Sequence, residues 1–354
     1  VKDTHNMSTL DSALRIKTPN ETLEVIKAYL PQAKITRLAN LTDLDDSKIP
    51  VYTSIRPLGK SLSTSQGKSF SHDAAKVSAY MEALELYFAE EVKAKLYDKR
   101  FEQNNHFISP NQLSSNIVYQ DNKEHNWCQS KSFLTNQSYY VPFQFISIDS
   151  GHPDVVIQAT DTTGIASGNN YDEALVHSLL ECIERKSTAL KSQQFKLDIE
   201  HIFYDKIALL HHVELKYYPN PYGIPVIGCL IQSKDQTANQ MVFSGYGAHL
   251  NKEIALNRAL TEAIQSKVTT IAGSRDDLFK HAYEKSNLRL NPEAYEMSFS
   301  EISEHKTDSI TEALALLKDA LYKAQQDALI HVYHSDKLTF LKSILVKQEV
   351  FDNA

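Results

Sequence analysis

The stretch Thr162–Arg185, TTGIASGNNYDEALVHSLLECIER, is the key to the chain. A polar strip with Gly164 and Gly168 runs straight into a helical segment that carries Glu181 and Glu184. At about 3.6 residues per turn, side chains at i and i+3 leave from one helix face. The residues between them are Cys182 and Ile183, so the carboxylates stand in apolar surroundings. The same inscription occurs twice more. The strip Ser63–Ser69, STSQGKS, precedes a helix with Ser78, Glu82 and Glu85. The strip Gly245-Tyr-Gly247-Ala-His249 precedes one with Arg258, Glu262 and Gln265. Glycine is scarce, ten in 354 residues, against a usual level of about 7%. Six of the ten fall in such strips, counting Gly273 after the third helix. That placement points to sharp turns or the close approach of another group.

Working outward, helical spacing is read over 21–30, 73–96, 171–191, 251–272 and 309–327. Strands are read over 50–56, 138–148, 154–160, 213–218, 224–232, 240–244, 328–334 and 337–347. The fold class is therefore mixed α/β, with no repeat period and no dividing linker. Five carboxylates in apolar helices would repel one another and resist ionisation without cations. Arg185 and Arg258 supply some positive charge, and a hard divalent ion with oxygen ligands, Mg²⁺ above all, would supply more. The first strip contains Gly67-Lys68-Ser69, but Leu62 stands where a Walker A loop needs glycine, so a P-loop is excluded. Phosphate can still be bound through main-chain amides near the helix starts.

In this order, the strips and helices resemble the YcaO family. The resemblance also takes in the Pro19–Leu23 segment, Ile55-Arg56-Pro57, Gln66-Gly67-Lys68, Arg100-Phe101, Tyr140-Val-Pro142 and the Gly273–Asp277 strip. It implies a single YcaO domain over 19–354 after an N-terminal extension of 1–18, with an ATP and Mg²⁺ cleft formed by three long helices against mixed sheets. Carried over by position, Glu82, Glu85, Glu181, Glu184 and Glu262 would hold Mg²⁺. Lys68, Ser78, Asn169, Arg185, Arg258 and Gln265 would contact the nucleotide, with Lys68 and Arg185 assisting catalysis. The implied activity is ATP-dependent phosphorylation of a peptide backbone amide oxygen. A nucleophile adds to the amide carbon, the oxyanion takes the γ-phosphoryl group, and the oxygen leaves as phosphate. External sulfide would give a thioamide, a substrate Cys, Ser or Thr an azoline, and an amine an amidine. The chain lacks the proline-rich ending common in azoline-forming members, and its strips look most like the subgroup that works beside a TfuA-type sulfur-delivery protein. Thioamide formation in a ribosomally made precursor peptide is the favoured reading. An azoline-forming cyclodehydratase and an accessory factor for ribosomal-protein methylthiolation are the alternatives. Leu86 and Lys267 stand where arginine is common in the family, and Ser69 where glycine is frequent.

Bulk properties agree with such an enzyme. Apolar residues make up 42% and charged residues 23%, which excludes a disordered chain, and the net charge of −7 argues against nucleic-acid coating. Three distant cysteines, Cys128, Cys182 and Cys229, make no CxxC and no disulfide framework. No apolar run can span a bilayer, and the first residues lack a signal-peptide core. A cytoplasmic homodimer without nucleic-acid or membrane partners is expected. Among the histidines, His331 and His334 would face opposite sides of a strand, His211 and His212 would be exposed, and His249 would either approach substrate or serve as a cap. Arg275, Asp276 and Asp277 are read as an ion-pair turn, and Trp127 and Cys128 as structural.

Overall fold

The computed structural model describes residues 9–10, 13–101, 106–113, 124–149, 161–235, 241–273, 290–291, 295–307 and 309–353. In chain order the elements are β1 (Thr9–Leu10), β2 (Ala13–Leu14), α1 (Pro19–Ile26), β3 (Arg37–Asn40), β4 (Val51–Ile55), β5 (Thr64–Lys68), α2 (His72–Glu90), β6 (Leu96–Arg100), α3 (Pro110–Leu113), β7 (Glu124–Ser132), β8 (Ser138–Pro142) and β9 (Ile165–Gly168). They continue with α4 (Tyr171–Ser187), β10 (Gln193–Lys196), α5 (Ile202–Leu210), β11 (His211–Tyr217), β12 (Val226–Ser233), β13 (Val242–Ala248), α6 (Lys252–Ala272), β14 (Met297–Ser298), α7 (Ile310–Lys323), β15 (Gln326–Ser335) and β16 (Thr339–Lys347). The expected mixed α/β class is what the chain adopts. The strand expected over 154–160 and the turn at Arg275–Asp277 lie outside the described residues.

The chain gathers into two compact units. The first comprises 1–58, 62–83 and 183–309, and the second 59–61, 84–182 and 310–354. In the first unit a five-stranded sheet runs β13-β12-β11-β10-β14, and a three-stranded antiparallel sheet runs β3-β4-β5. Helix α6 packs on β13 and β12 over a core that includes Ile227, Cys229, Ile231, Leu256, Leu260 and Ile264. The second unit holds a sheet ordered β6-β7-β15-β16-β9, with β8 paired to β7. Its core includes Ile108, Cys128, Val141, Ile146 and Leu329.

Local chemistry sets the helix ends. Thr18 and Glu21 form a capping box on α1, with Pro19 inside the first turn. That helix stops at Ile26 rather than at residue 30, four residues before the helix-disfavouring Leu30-Pro31 pair. Asn251 accepts the amides of Glu253 and Ile254 at the start of α6. Gly273 closes that helix in the left-handed region, at φ +59°. Helix α2 ends at Glu90, short of the expected 96, because Leu96–Arg100 pairs as β6 with β7.

All three glycine strips contain strands: β5, β9 and β13. Their glycines let a strand lie directly on a helix backbone. A Cβ at Gly67 would stand 2.0 Å from Ala79 N, and one at Gly247 2.2 Å from Ala255 O and 2.9 Å from Ala259 N. Within the first unit the two pairings repeat. Gln66, Gly67, Ala75, Ala79 and Glu82 on β5–α2 correspond to Tyr246, Gly247, Ala255, Ala259 and Glu262 on β13–α6, each 180 positions apart.

Candidate active site

In the first unit the acidic side chains are held by main-chain amides. Gln66 N–H donates to Glu82 Oε2 at 3.0 Å, and Tyr246 N–H donates to Glu262 Oε1 at 3.3 Å. Ala248 N–H donates to Glu184 Oε2 at 3.0 Å. Strands β5 and β13 each end their sheet in this unit. Their outward amides need acceptors, and the carboxylates both satisfy them and become fixed in place. Thus β5 and β13 present main-chain amides to Glu82, Glu184 and Glu262.

Lys68, on the opposite face of β5 from Gly67, donates from Nζ to Glu262 Oε2 at 2.9 Å. Both side chains are about a quarter exposed. Glu184 is buried; burial and then the charge of Glu262 push its carboxyl above the usual range, against the pull of Arg258, Arg185 and Lys68. Burial acts on Glu262 in the same sense, but Lys68, by charge and hydrogen bond, and then Arg185 and Arg258 outweigh it and hold that carboxyl low. The two acids therefore form one electrostatic group with three cations. On α6, Arg258, Glu262 and Gln265 follow at i, i+4 and i+7, one face of a helix. Arg258 Nε and Gln265 Oε1 are buried without a hydrogen-bond partner among the described residues. Ser78 is half-buried on α2, one turn before Glu82.

The remaining expected residues belong to the second unit. Glu85 accepts from Ser167 Oγ at 2.5 Å. Asn169 is buried, and its main-chain N–H and Nδ2 both donate to Glu173, at 3.2 and 3.0 Å. Glu181 is half-buried and acts electrostatically on Lys342, whose ammonium is pushed down to about 8, chiefly by burial. Glu173, 1% exposed, is a candidate the sequence reading passed over. Its amide is capped by Asn170 Oδ1 at 2.8 Å, so it looks like an ordinary acid at a helix start. Its signal was the adjacent Asn169-Asn170 pair, which supplies both the cap and a second amide donor.

Among the described residues, no three His, Cys, Asp or Glu side chains are drawn together as a ready metal site. The donor chemistry nonetheless fits a hard divalent ion. The acids offer oxygens only, and the buried Glu184 lies beside Glu262, whose charge opposes its ionisation, a repulsion such an ion relieves.

The other sequence candidates resolve as structural groups. Lys267 donates to Asp45 Oδ2 at 2.7 Å and lies 2.9 Å from His211 Nε2. His211 is therefore 2% exposed, contrary to the expected surface position, because it shares a buried ion pair. His331 bonds the Gln129 carbonyl, and His334 stacks on Phe88. Trp127 is fully buried and donates to the Lys99 carbonyl at 2.9 Å.

A family model described as YcaO cyclodehydratase, ATP- and Mg²⁺-binding, matches residues 66–342. An uncharacterised protein of Mycobacterium tuberculosis is 33% identical over 306 residues, covering 78% of this chain and 69% of its own length. An uncharacterised protein of Rhizobium leguminosarum bv. trifolii, named for its place in the tfuA 3′ region, is 31% identical over 305 residues, covering 77% and 70%. YcaO from Methanopyrus kandleri, solved with AMPPCP and Mg²⁺, superposes with a TM-score of 0.73 at 18% identity, covering 96% of this chain and 93% of that one. A heterocyclase in complex with substrate and cofactor gives a TM-score of 0.78 at 17% identity, covering 98% of this chain; this chain spans about half, 54%, of that one. The chain belongs to the YcaO family. Members are ATP- and Mg²⁺-dependent enzymes that modify peptides.

Proposed function

We propose that this protein phosphorylates the oxygen of a peptide backbone amide at the expense of ATP, and that sulfide then replaces that oxygen to give a thioamide. The observation that carries the reading is the charged group in which the buried Glu184 meets Glu262, Lys68, Arg185 and Arg258. Two adjacent acids among three cations are more charge than the strand-edge amides require, and phosphoryl transfer is a chemistry that uses such a set. Lys68 and Arg185 would steady charge on the transferring group. Ser78, Asn169, Arg258 and Gln265 would orient the nucleotide. Glu82, Glu85, Glu181, Glu184 and Glu262 would hold Mg²⁺, which neutralises phosphate charge when bound. In this reading one functional domain extends over 19–354. The relative from the tfuA 3′ region supports sulfide as the nucleophile and a TfuA-like protein as its source. The fold likeness to a heterocyclase favours a second reading, in which a substrate side chain attacks and an azoline forms. No helix among the described residues is long and apolar enough to cross a membrane. In this reading the protein is a cytoplasmic homodimer that meets a precursor peptide.

Two measurements test this. Calorimetric titration with ATP and Mg²⁺ should show binding, and its absence even with peptide and partner protein present would refute the reading. Intact-mass spectrometry of the peptide should show oxygen replaced by sulfur, dependent on sulfide. A sulfide-independent loss of water would reject thioamide formation and support the azoline alternative.

A further inference from the structure

His249 follows the last residue of β13 and is 1% exposed. Its Nδ1 accepts the main-chain N–H of Asn251, the cap of α6, at 3.0 Å. A ring nitrogen that accepts cannot carry the proton of a neutral imidazole, so that proton sits on Nε2. Burial, and then the charge of Arg258, keep the ring neutral, with its pKa down to about 3. Nε2 is itself buried and has no hydrogen-bond partner among the described residues. A buried donor without an acceptor opposes folding, and a ligand that supplies the acceptor relieves that cost.

The position narrows the ligand. Gly245 and Gly247 lie on the face of β13 turned to α6, the first against Ala259 and Ala263, the second against Ala255 and Arg258 Cβ. The next alternate position is His249. Asn251, which fixes the imidazole, begins the same helical stripe that continues through Arg258, Glu262 and Gln265. The ring thus stands at the head of the stripe that carries the charged group, beside Arg258, whose Nε is also buried and unpartnered.

We propose that His249 Nε2–H hydrogen-bonds the carbonyl oxygen of the amide being modified and stabilises the oxyanion formed there. This rests on the amide-activation reading above. Phosphate oxygens carry full charge before reaction and are suited to Lys68, Arg185 and a metal. A carbonyl gains its charge only as the nucleophile adds, and a fixed neutral donor strengthens its bond at that moment without forming an ion pair beforehand. The hydrosulfide lone pair forms the C–S bond, and the carbonyl π pair moves onto oxygen, which accepts from Nε2–H. No proton leaves the imidazole. The oxyanion then attacks the γ-phosphorus, the bond to the bridging oxygen breaks, and ADP departs. Loss of the phosphorylated oxygen as phosphate, with the S–H proton, leaves the C=S bond.

The test compares wild type, His249→Ala and His249→Gln, whose side-chain amide restores an N–H near the place of Nε2. The probe is the set of peptides encoded beside the gene, with sulfide, ATP and Mg²⁺. Product is read by mass spectrometry, and nucleotide affinity separately by calorimetry. His249→Ala should lower kcat for the peptide by about 10²- to 10³-fold, with nucleotide affinity unchanged, and His249→Gln should recover part of the loss. An Ala variant with unchanged kcat overturns the proposal. So does one that loses nucleotide affinity by the same factor as kcat, because it places the donor on the nucleotide. A wild type that binds ATP and modifies no peptide overturns amide activation itself, and this assignment with it. Long-range ¹H–¹⁵N spectra of histidine-labelled wild type give a second measurement, independent of turnover. They should show a neutral Nε2–H ring from about pH 5 to pH 8, and an Nδ1–H tautomer or an imidazolium overturns the proposal.

Discussion

Gly67→Ala probes the strand-on-helix contact that positions the first acid. The substitution adds one methyl group. An ideal Cβ there lies 2.0 Å from Ala79 N, 2.3 Å from Ala75 O and 2.7 Å from Ala79 Cα. Carbon needs about 3.5–4.0 Å from such atoms, so β5 and α2 must separate by roughly 1.5 Å. All three obstacles are helix backbone, so no rotamer change relieves them. Overpacking of this kind costs about 1–3 kcal/mol. The shift also pulls Gln66 N–H from Glu82, a charged hydrogen bond now 3.0 Å long, worth about 1.5–3 kcal/mol. Together the expected loss is about 2.5–6 kcal/mol. Gly223→Ala is the control. Nothing lies within 4 Å of its added Cβ, and only its φ of +63° is strained, at a cost of about 1–2 kcal/mol. Urea unfolding should show a much larger midpoint shift for Gly67→Ala, with similar slopes. Equal shifts for the two variants, or a Gly67→Ala loss under about 1 kcal/mol, would refute the reasoning.

Glu184→Gln removes a buried charge while its Oε1 can still accept from Ala248. Because burial and Glu262 raise this carboxyl, its ionised form opposes the fold once pH exceeds the unfolded carboxylate value, so the variant should unfold at equal or slightly higher denaturant at pH 7. The same variant should weaken Mg²⁺-dependent nucleotide binding about tenfold or more by calorimetry. Asp45→Asn leaves Lys267 without its buried partner and should cost about 3–5 kcal/mol in denaturant unfolding at pH 7. Burial alone would raise the Asp45 carboxyl, but His211, Lys267 and Ser47 hold it well below the usual range. Its stabilisation is therefore full above the unfolded value near pH 4 and fades as pH falls toward the depressed folded value, and stability of the variant should be flatter across that window. Lys68→Met should cost only about 0.5–1 kcal/mol of stability, since the pair with Glu262 is partly solvated. Its peptide-dependent ATP turnover should fall by orders of magnitude more than its unfolding midpoint suggests.

The sequence alone determined the helices that carry the acids, because 3.6-residue periodicity and apolar neighbours are local properties that survive without context. Tyr171–Ser187 and Lys252–Ala272 lie close to where that periodicity put them. It also determined which acids to watch, since E-x-x-E and E-x-x-Q among Ala, Leu, Cys and Ile are anomalies in the chain itself. Only the tertiary structure made strands of the glycine strips. Thr64–Lys68 and Ile165–Gly168 are short, and the first is polar throughout, so their strand state comes from pairing with β4 and β16. Their glycines answer to helices that arrive from later in the chain. The amides of Gln66, Tyr246 and Ala248 could not be read in advance, because a main-chain donor is the same at every non-proline residue. Lys267 stands where its family often has arginine, yet its partner is Asp45, 222 residues earlier. That pairing, like the burial of His211 beside it, exists only once the chain has folded. Charge is written in the sequence, but the distances that decide what a charge does are set by packing.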